Sequence, residues 1–350
     1  MVPQENVPLA PFTTLHVGGP ARYFVEAFAS TEVADAVSFA GSRDLPLFVL
    51  GGGSNLVVGD NGWPGLVLKI AIRGIERLAG EQDGKVPFNV GAGESWDDFV
   101  AQAVAADCAG VECLSGIPGT VGGTPVQNVG AYGQEVSETI ESVEVFDRRD
   151  GQIRELCNEA CGFSYRTSIF NTTERHRFIV LRVTFALFPG RRPSLEYVDL
   201  KRYFEGRLSG PTLAEVRDAV LKIRTRKGMV IVEGDPDSRS AGSFFKNPIL
   251  SDEQLRELRK RAEARNLVVP TYPALAQNRK VSAAWLVEHS GFTRGFAMGH
   301  VGISNKHALA LVNRGGATAS EILALKTHIQ DGVEELWGIR LEPEPVFVGL

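Results

Sequence analysis

Two spacings of apolar residues run through this chain, and each marks a different kind of element. Residues 46–50 form an unbroken apolar run ending at three glycines, which predicts a short buried strand. Residues 66–72 predict another strand, and 60–65 between them are dense in turn formers. Residues 144–156 predict a hairpin turning at Asp150-Gly151. Ile179, Leu181, Val183, Phe185 and Leu187 then take every second position, the period of a strand with at least one buried face. Residues 299–304 and 308–312 are also strand-like. The helical spacing appears in 30–40, with Val33, Val37 and Ala40 near one face. Ser95, with Asp98 three residues on, opens a helix striped by Trp96, Phe99, Val100, Ala103 and Val104. The same cap grammar recurs at Thr212/Glu215, Ser251/Gln254 and Thr318/Glu321, the last helix stopping at Gly338. No internal repeat is visible. The order is a Gly-rich α+β front, a β-rich middle and an α/β back with a short extended tail.

At 350 residues the chain exceeds what one core usually serves, so two or three domains are expected. A net charge of -5 gives no footprint for nucleic acid or an anionic membrane. Residues 1–11 lack the basic-then-apolar pattern of a secretory signal, and no apolar run approaches the ~20 residues of a membrane span. A cytoplasmic protein is the expectation. Cys108, Cys113, Cys157 and Cys161 are read as reduced structural thiols, with a zinc site at the last pair as the alternative; no metal is expected.

Glycine changes the picture. The run Gly51-Gly52-Gly53-Ser54-Asn55 follows a strand, so consecutive N–H groups can converge on an anion while Ser54 and Asn55 add side-chain donors. It is not a P-loop, because no Gly-Lys-Ser/Thr follows. It is not a Rossmann fingerprint either, because Leu56 takes the third glycine position and no acid follows about 20 residues on. A second cluster, Ser115 to Gly133, is too poor in large apolar groups to form a core alone. A long cofactor lying against bare backbone accounts for both.

Leu50–Asn55, then Gly116-Ile117-Pro118-Gly119-Thr120-Val121-Gly122-Gly123 and Asn128-Val129-Gly130-Ala131-Tyr132-Gly133, resemble the FAD-binding domain of vanillyl-alcohol-oxidase (PCMH) type flavoenzymes. Their wording is similar to that of the UDP-N-acetylenolpyruvoylglucosamine reductase (UDP-N-acetylmuramate dehydrogenase) family, in its longer type I form. The opening Thr13–Phe24 is similar as well. The resemblance implies an α+β fold: a two-part FAD-binding domain plus an α/β substrate-binding domain. It implies that Gly51, Gly52, Gly53, Ser54 and Asn55 hold the FAD pyrophosphate. Gly116, Ile117, Pro118, Gly119, Gly122, Asn128, Gly130, Ala131 and Tyr132 would line the flavin. Neither loop contains a histidine, so FAD is expected to be non-covalent, with NADPH as hydride-donating co-substrate.

Three more segments match: Phe163–Phe170, Ala241–Pro248 and Leu341–Pro345. Residue by residue they imply the catalytic Arg166, Ser243 and Glu344, with Glu342 the rival of Glu344. Reduction of an enolpyruvyl ether builds charge as an enolate of the substrate carboxylate, which a planar guanidinium stabilises. A serine hydroxyl can protonate so strong a base. Tyr197, Lys227 and Asn247 match substrate contacts, Tyr197 on a loop that closes over a UDP-sugar. His16 is read as structural. Asn171 and Ala284 depart from the family pattern, at positions that carry no proposed role.

The expected division is 1–73 with the tail 339–350 and 74–210 for FAD, and 211–338 for substrate. A monomer without nucleic-acid or membrane partners is expected. The competing readings are a hydroxy-acid or sugar-lactone oxidase on the same scaffold and a non-catalytic nucleotide-sugar binding module.

Overall fold

The computed structural model describes residues 2–80, 83–273 and 278–350, and these fold into two compact units. The first comprises 1–7, 21–53 and 63–230; the second comprises 8–20, 54–62 and 231–350. The sequence-derived division differs from this one. Helix Leu213–Arg226 falls in the first unit because its stripe Val216, Ala219, Val220 and Ile223 packs with Cys113, Leu200 and Phe204. Residues 8–20 and 54–62 fall in the second because Leu15, Val17 and Val57 belong to its core.

In the first unit, strands Pro20–Ala27 and Leu47–Leu50 flank Trp63–Ile70, both parallel to it. The middle strand begins earlier than the apolar pattern predicts, within the turn-forming segment. Gly65 has no Cβ to keep the Pro46 carbonyl away, and that carbonyl accepts the Leu66 N–H at 2.9 Å. A larger antiparallel sheet is built on Phe178–Pro189, between Ile140–Asp147 and Val86–Gly91. Ile179, Leu181, Val183, Phe185 and Leu187 are all buried there, as their alternation predicts. The hairpin forms with Asp147 opposite Gln152 and Gly151 in the left-handed region. Helix Trp96–Ala105 buries Trp96, Phe99, Val100 and Ala103 against this sheet, with Phe99 and Phe185 ring centroids 4.8 Å apart. Only the serine half of its predicted cap forms: Ser95 Oγ accepts from Asp98 N, and the shorter aspartate does not reach back.

The second unit has a core of Leu255, Leu258, Ile322, Leu325, Ile329 and Val333 from helices Asp252–Glu263 and Ala319–Trp337, with strands Val301–Ile303 and Leu311–Asn313. Both capping boxes form as predicted, and Gly338 ends the long helix at φ 70°. Strand Val346–Val348 runs parallel to Leu56–Val58, so the tail pairs with the chain just past the first glycine run. Among the described residues no helix is long and apolar enough to cross a membrane. Four free cysteines are present, and no group of His, Cys, Asp or Glu among the described residues could hold a metal.

Candidate active site

In the first unit the two glycine clusters meet backbone to backbone. A Cβ on Gly52 would stand 2.5 Å from Gly119 Cα, and one on Gly51 would stand 3.0 Å from Thr120 Oγ1. Only residues without side chains allow this approach. Gly53, Gly116 and Gly119 have φ of 64°, 70° and 127°, backbone that glycine adopts without strain. Among the described residues the N–H groups of Gly52 and Gly53 donate to no carbonyl or side chain, although Gly53 is buried. Thr120 Oγ1 is also buried without a partner. Buried donors left this way are costly unless a ligand meets them. A cradle of bare backbone lined by unmet donors fits the phosphate and ring of FAD.

The second glycine segment is anchored at its start. Gly116 N donates to Asp97 Oδ1 at 2.5 Å, and Asp97 takes two further bonds from Arg217, at 2.6 and 2.8 Å. Burial pushes the Asp97 carboxyl up, but Arg217 and the Gly116 N–H outweigh it and hold the group below its usual value. Asn128, buried with φ 43°, donates to Glu135 and to the Ser164 carbonyl and accepts from Ser137 N. Arg166, itself at φ 55°, donates through Nη2 to Gly130 O at 2.6 Å and through Nη1 to Asn128 O at 3.4 Å. Its guanidinium is therefore fixed against the same segment, beside Ala131 and Tyr132.

Tyr132 meets Tyr197 edge to face at 5.3 Å, and Lys227 Nζ lies 5.8 Å from the Tyr132 ring while pairing with Asp199 at 2.8 Å. Burial raises the Tyr132 phenol above its ordinary value against the pull of Arg224 and Lys227. Burial alone would lower Lys227, but Asp199 and Tyr132 hold it above the usual range. Arg224 is the residue the sequence reading passed over. It is 9 % exposed, donates to Met229 O at 2.7 Å, and holds its Nε beside Gly116, buried without a hydrogen-bond partner among the described residues. A charged residue four positions past Val220, on the buried stripe, was the available signal. Ile117, Pro118 and Gly122 sit in the same loop, with Gly122 N bonded to Ala92 O at 2.9 Å.

The second unit brings together Asn55, Ser243 and Glu344. Segments 244–246 and 342–344 run antiparallel: Phe245 pairs with Pro343, Glu344 N donates to Phe244 O at 2.9 Å, and Lys246 N donates to Glu342 O at 2.9 Å. Ser243 is the residue before that first carbonyl. Lys246 Nζ donates to the Glu342 carboxylate at 2.7 Å, on a side chain that is 70 % exposed. Asn247 Oδ1 accepts from Ala283 N at 2.9 Å. Thr14 Oγ1 sits 2.6 Å from Ser240 O and 3.3 Å from Ser54 O, tying the serine segment to the stretch after the glycine run. No sequence pattern flagged Thr14 individually, because its partners lie 40 and 226 residues away. His16 takes a left-handed backbone and offers its carbonyl to Asn313.

A glycine-walled cradle and an α+β chain define an FAD-binding oxidoreductase, and comparison with known proteins bears this out. Residues 21–156 match an FAD binding domain family, and 235–348 match the UDP-N-acetylenolpyruvoylglucosamine reductase C-terminal domain. The chain is 48% identical to the UDP-N-acetylenolpyruvoylglucosamine reductase of Thermobifida fusca, covering 99% of this chain and 98% of that one. Against the Streptomyces coelicolor protein of the same name it is 47% identical, with 99% and 90% covered. The crystal structure of the Thermus caldophilus UDP-N-acetylenolpyruvylglucosamine reductase superposes with a TM-score of 0.66 at 29% identity, covering 99% of this chain and 100% of that one. The chain belongs to the UDP-N-acetylenolpyruvoylglucosamine reductase family.

Proposed function

We propose that this protein reduces the enolpyruvyl group of UDP-N-acetylglucosamine enolpyruvate to give UDP-N-acetylmuramate, a step toward peptidoglycan, with non-covalent FAD and with NADPH as the hydride donor. The observation that carries the reading is the hydrogen-bonded pairing of the Ser243 and Glu344 segments inside one unit. The glycine loops would hold FAD, which would supply the hydride chemistry that links NADPH to the substrate. The chain supplies the rest. Arg166 offers N–H groups to the substrate carboxylate, its plane fixed by the Asn128 and Gly130 carbonyls. Ser243 donates the proton that the enolate carbon takes up, and Glu344 supports the developing charge. Lys227 meets the diphosphate, Asn247 keeps its amide hydrogens for the substrate, and Tyr197 closes on the sugar nucleotide. The same pocket serves NADPH and substrate in turn, since the sequence holds no second dinucleotide fingerprint.

Removing the proton donor tests this. In Ser243→Ala, NADPH should still bleach the flavin band at close to the unmodified rate, while reoxidation by the enolpyruvyl sugar slows by about 10²–10⁴-fold. Equal loss in both half-reactions would remove Ser243 from the acid role. Turnover of hydroxy acids with oxygen and no NADPH would favour the oxidase reading instead.

A further inference from the structure

Glu344 is held by its backbone from two directions. Its N–H goes to Phe244 O at 2.9 Å, and its carbonyl accepts from Asn55 Nδ2 at 3.3 Å. Asn55 then closes a second bond, its own carbonyl taking the Val346 N–H at 2.9 Å, where the parallel ladder of Leu56–Val58 with Val346–Val348 begins. Asn55 therefore brackets residues 344–346. The requirement is specific to the amide: the contact needs an N–H donor two bonds beyond Cβ, a carboxylate there would repel the carbonyl, and serine stops short.

We propose that Asn55 is a positioning residue for Glu344, setting the glutamate's distance from Ser243 in addition to any contact it makes with the cofactor. The inference rests on the proposed role of Glu344. Prolines 343 and 345 restrict the backbone around the glutamate, and the two flanking hydrogen bonds fix the position from which its side chain departs. Lys246 and Glu342 pin the preceding residue pair. Losing the Asn55 bond frees the carbonyl end alone. Displacement of about 1 Å at a catalytic group commonly costs up to ~10²-fold in rate.

The test compares Asn55→Ala, Asn55→Asp and Glu344→Gln holoenzymes, each saturated with FAD, in single-turnover half-reactions. In the Asn55 variants reoxidation by the enolpyruvyl sugar should fall by about 10- to 100-fold, a larger factor than the loss in flavin reduction by NADPH, which reports any contact of Asn55 with the cofactor. The ionisation that governs reoxidation should shift along the pH axis in Asn55→Ala. It should vanish in Glu344→Gln, and Asn55→Ala should add little to that variant. Additive losses in the double variant, or an unmoved pH profile, would overturn the positioning role while leaving the reading of Glu344 standing. If Glu344→Gln itself reoxidises at the unmodified rate, the role of Glu344 fails and the inference fails with it. Should Asn55→Asp not fold, Asn55→Ala carries the same comparison, since it keeps the backbone bond to Val346.

Discussion

Replacing Gly52 with alanine probes the cradle directly. The added methyl would sit 2.5 Å from Gly119 Cα, 2.8 Å from its carbonyl carbon and 2.9 Å from Thr120 N. Ordinary contact needs about 3.4 Å or more, so one backbone must retreat by about 1 Å; no flexible side chain can yield instead. Overpacking of this kind costs about 1–3 kcal/mol. If the retreat opens the cradle, FAD affinity falls by about 5- to 150-fold. Equilibrium titration of apoprotein by flavin fluorescence measures the affinity, and a thermal melt of the apoprotein measures the cost to the fold. Gly41→Ala is the control: it lies in helix Ser30–Ser42, where an added methyl meets nothing within 4 Å, and should stabilise by up to about 1 kcal/mol. Gly52→Ala protein that binds FAD as tightly as the unmodified chain and melts at the same temperature would refute the close approach.

Other outcomes follow from the hydrogen bonds of two aspartates. Asp97 titrates below its unfolded value, so its stabilisation is complete above about pH 4 and disappears as the pH falls through the lower, folded pKa. Asp97→Asn should lower the melting temperature at neutral pH by an amount equal to about 1–3 kcal/mol and flatten the acid side of the stability curve; an unchanged acid limb would count against the ion pair. Asp60 takes the Ala319 and Ser320 N–H groups at 2.7 and 3.0 Å and the Ser320 hydroxyl at 2.6 Å, capping the longest helix of the second unit. Asp60→Ala should cost about 1–2 kcal/mol in urea unfolding.

Local chemistry was the readable part of this sequence. Thr212, Ser251 and Thr318 form the caps their spacing announces, because each cap is complete within four residues. The strand through Leu181 and Phe185 was visible for the same reason. Strand Pro20–Ala27 was not resolved by alternation, since it pairs in parallel and carries buried neighbours at Phe24 and Val25. The partners of Glu344 were unreadable in another sense: the Asn55 contact spans 289 residues, and no local pattern encodes it. Resemblance to a family supplied the site residues, and the hydrogen bonds supplied what orients them.

The division into units has a consequence for how the polypeptide is made. The first unit's core, from Val25 to Leu187, can consolidate while the ribosome is still extending the C-terminal third. The second unit cannot. Leu15, Val17 and Val57 emerge early, yet their partners at Ile322, Leu325 and Leu341 are made some three hundred codons later. Those early apolar stretches must wait for their partners throughout that interval, so the second unit can close only late in synthesis.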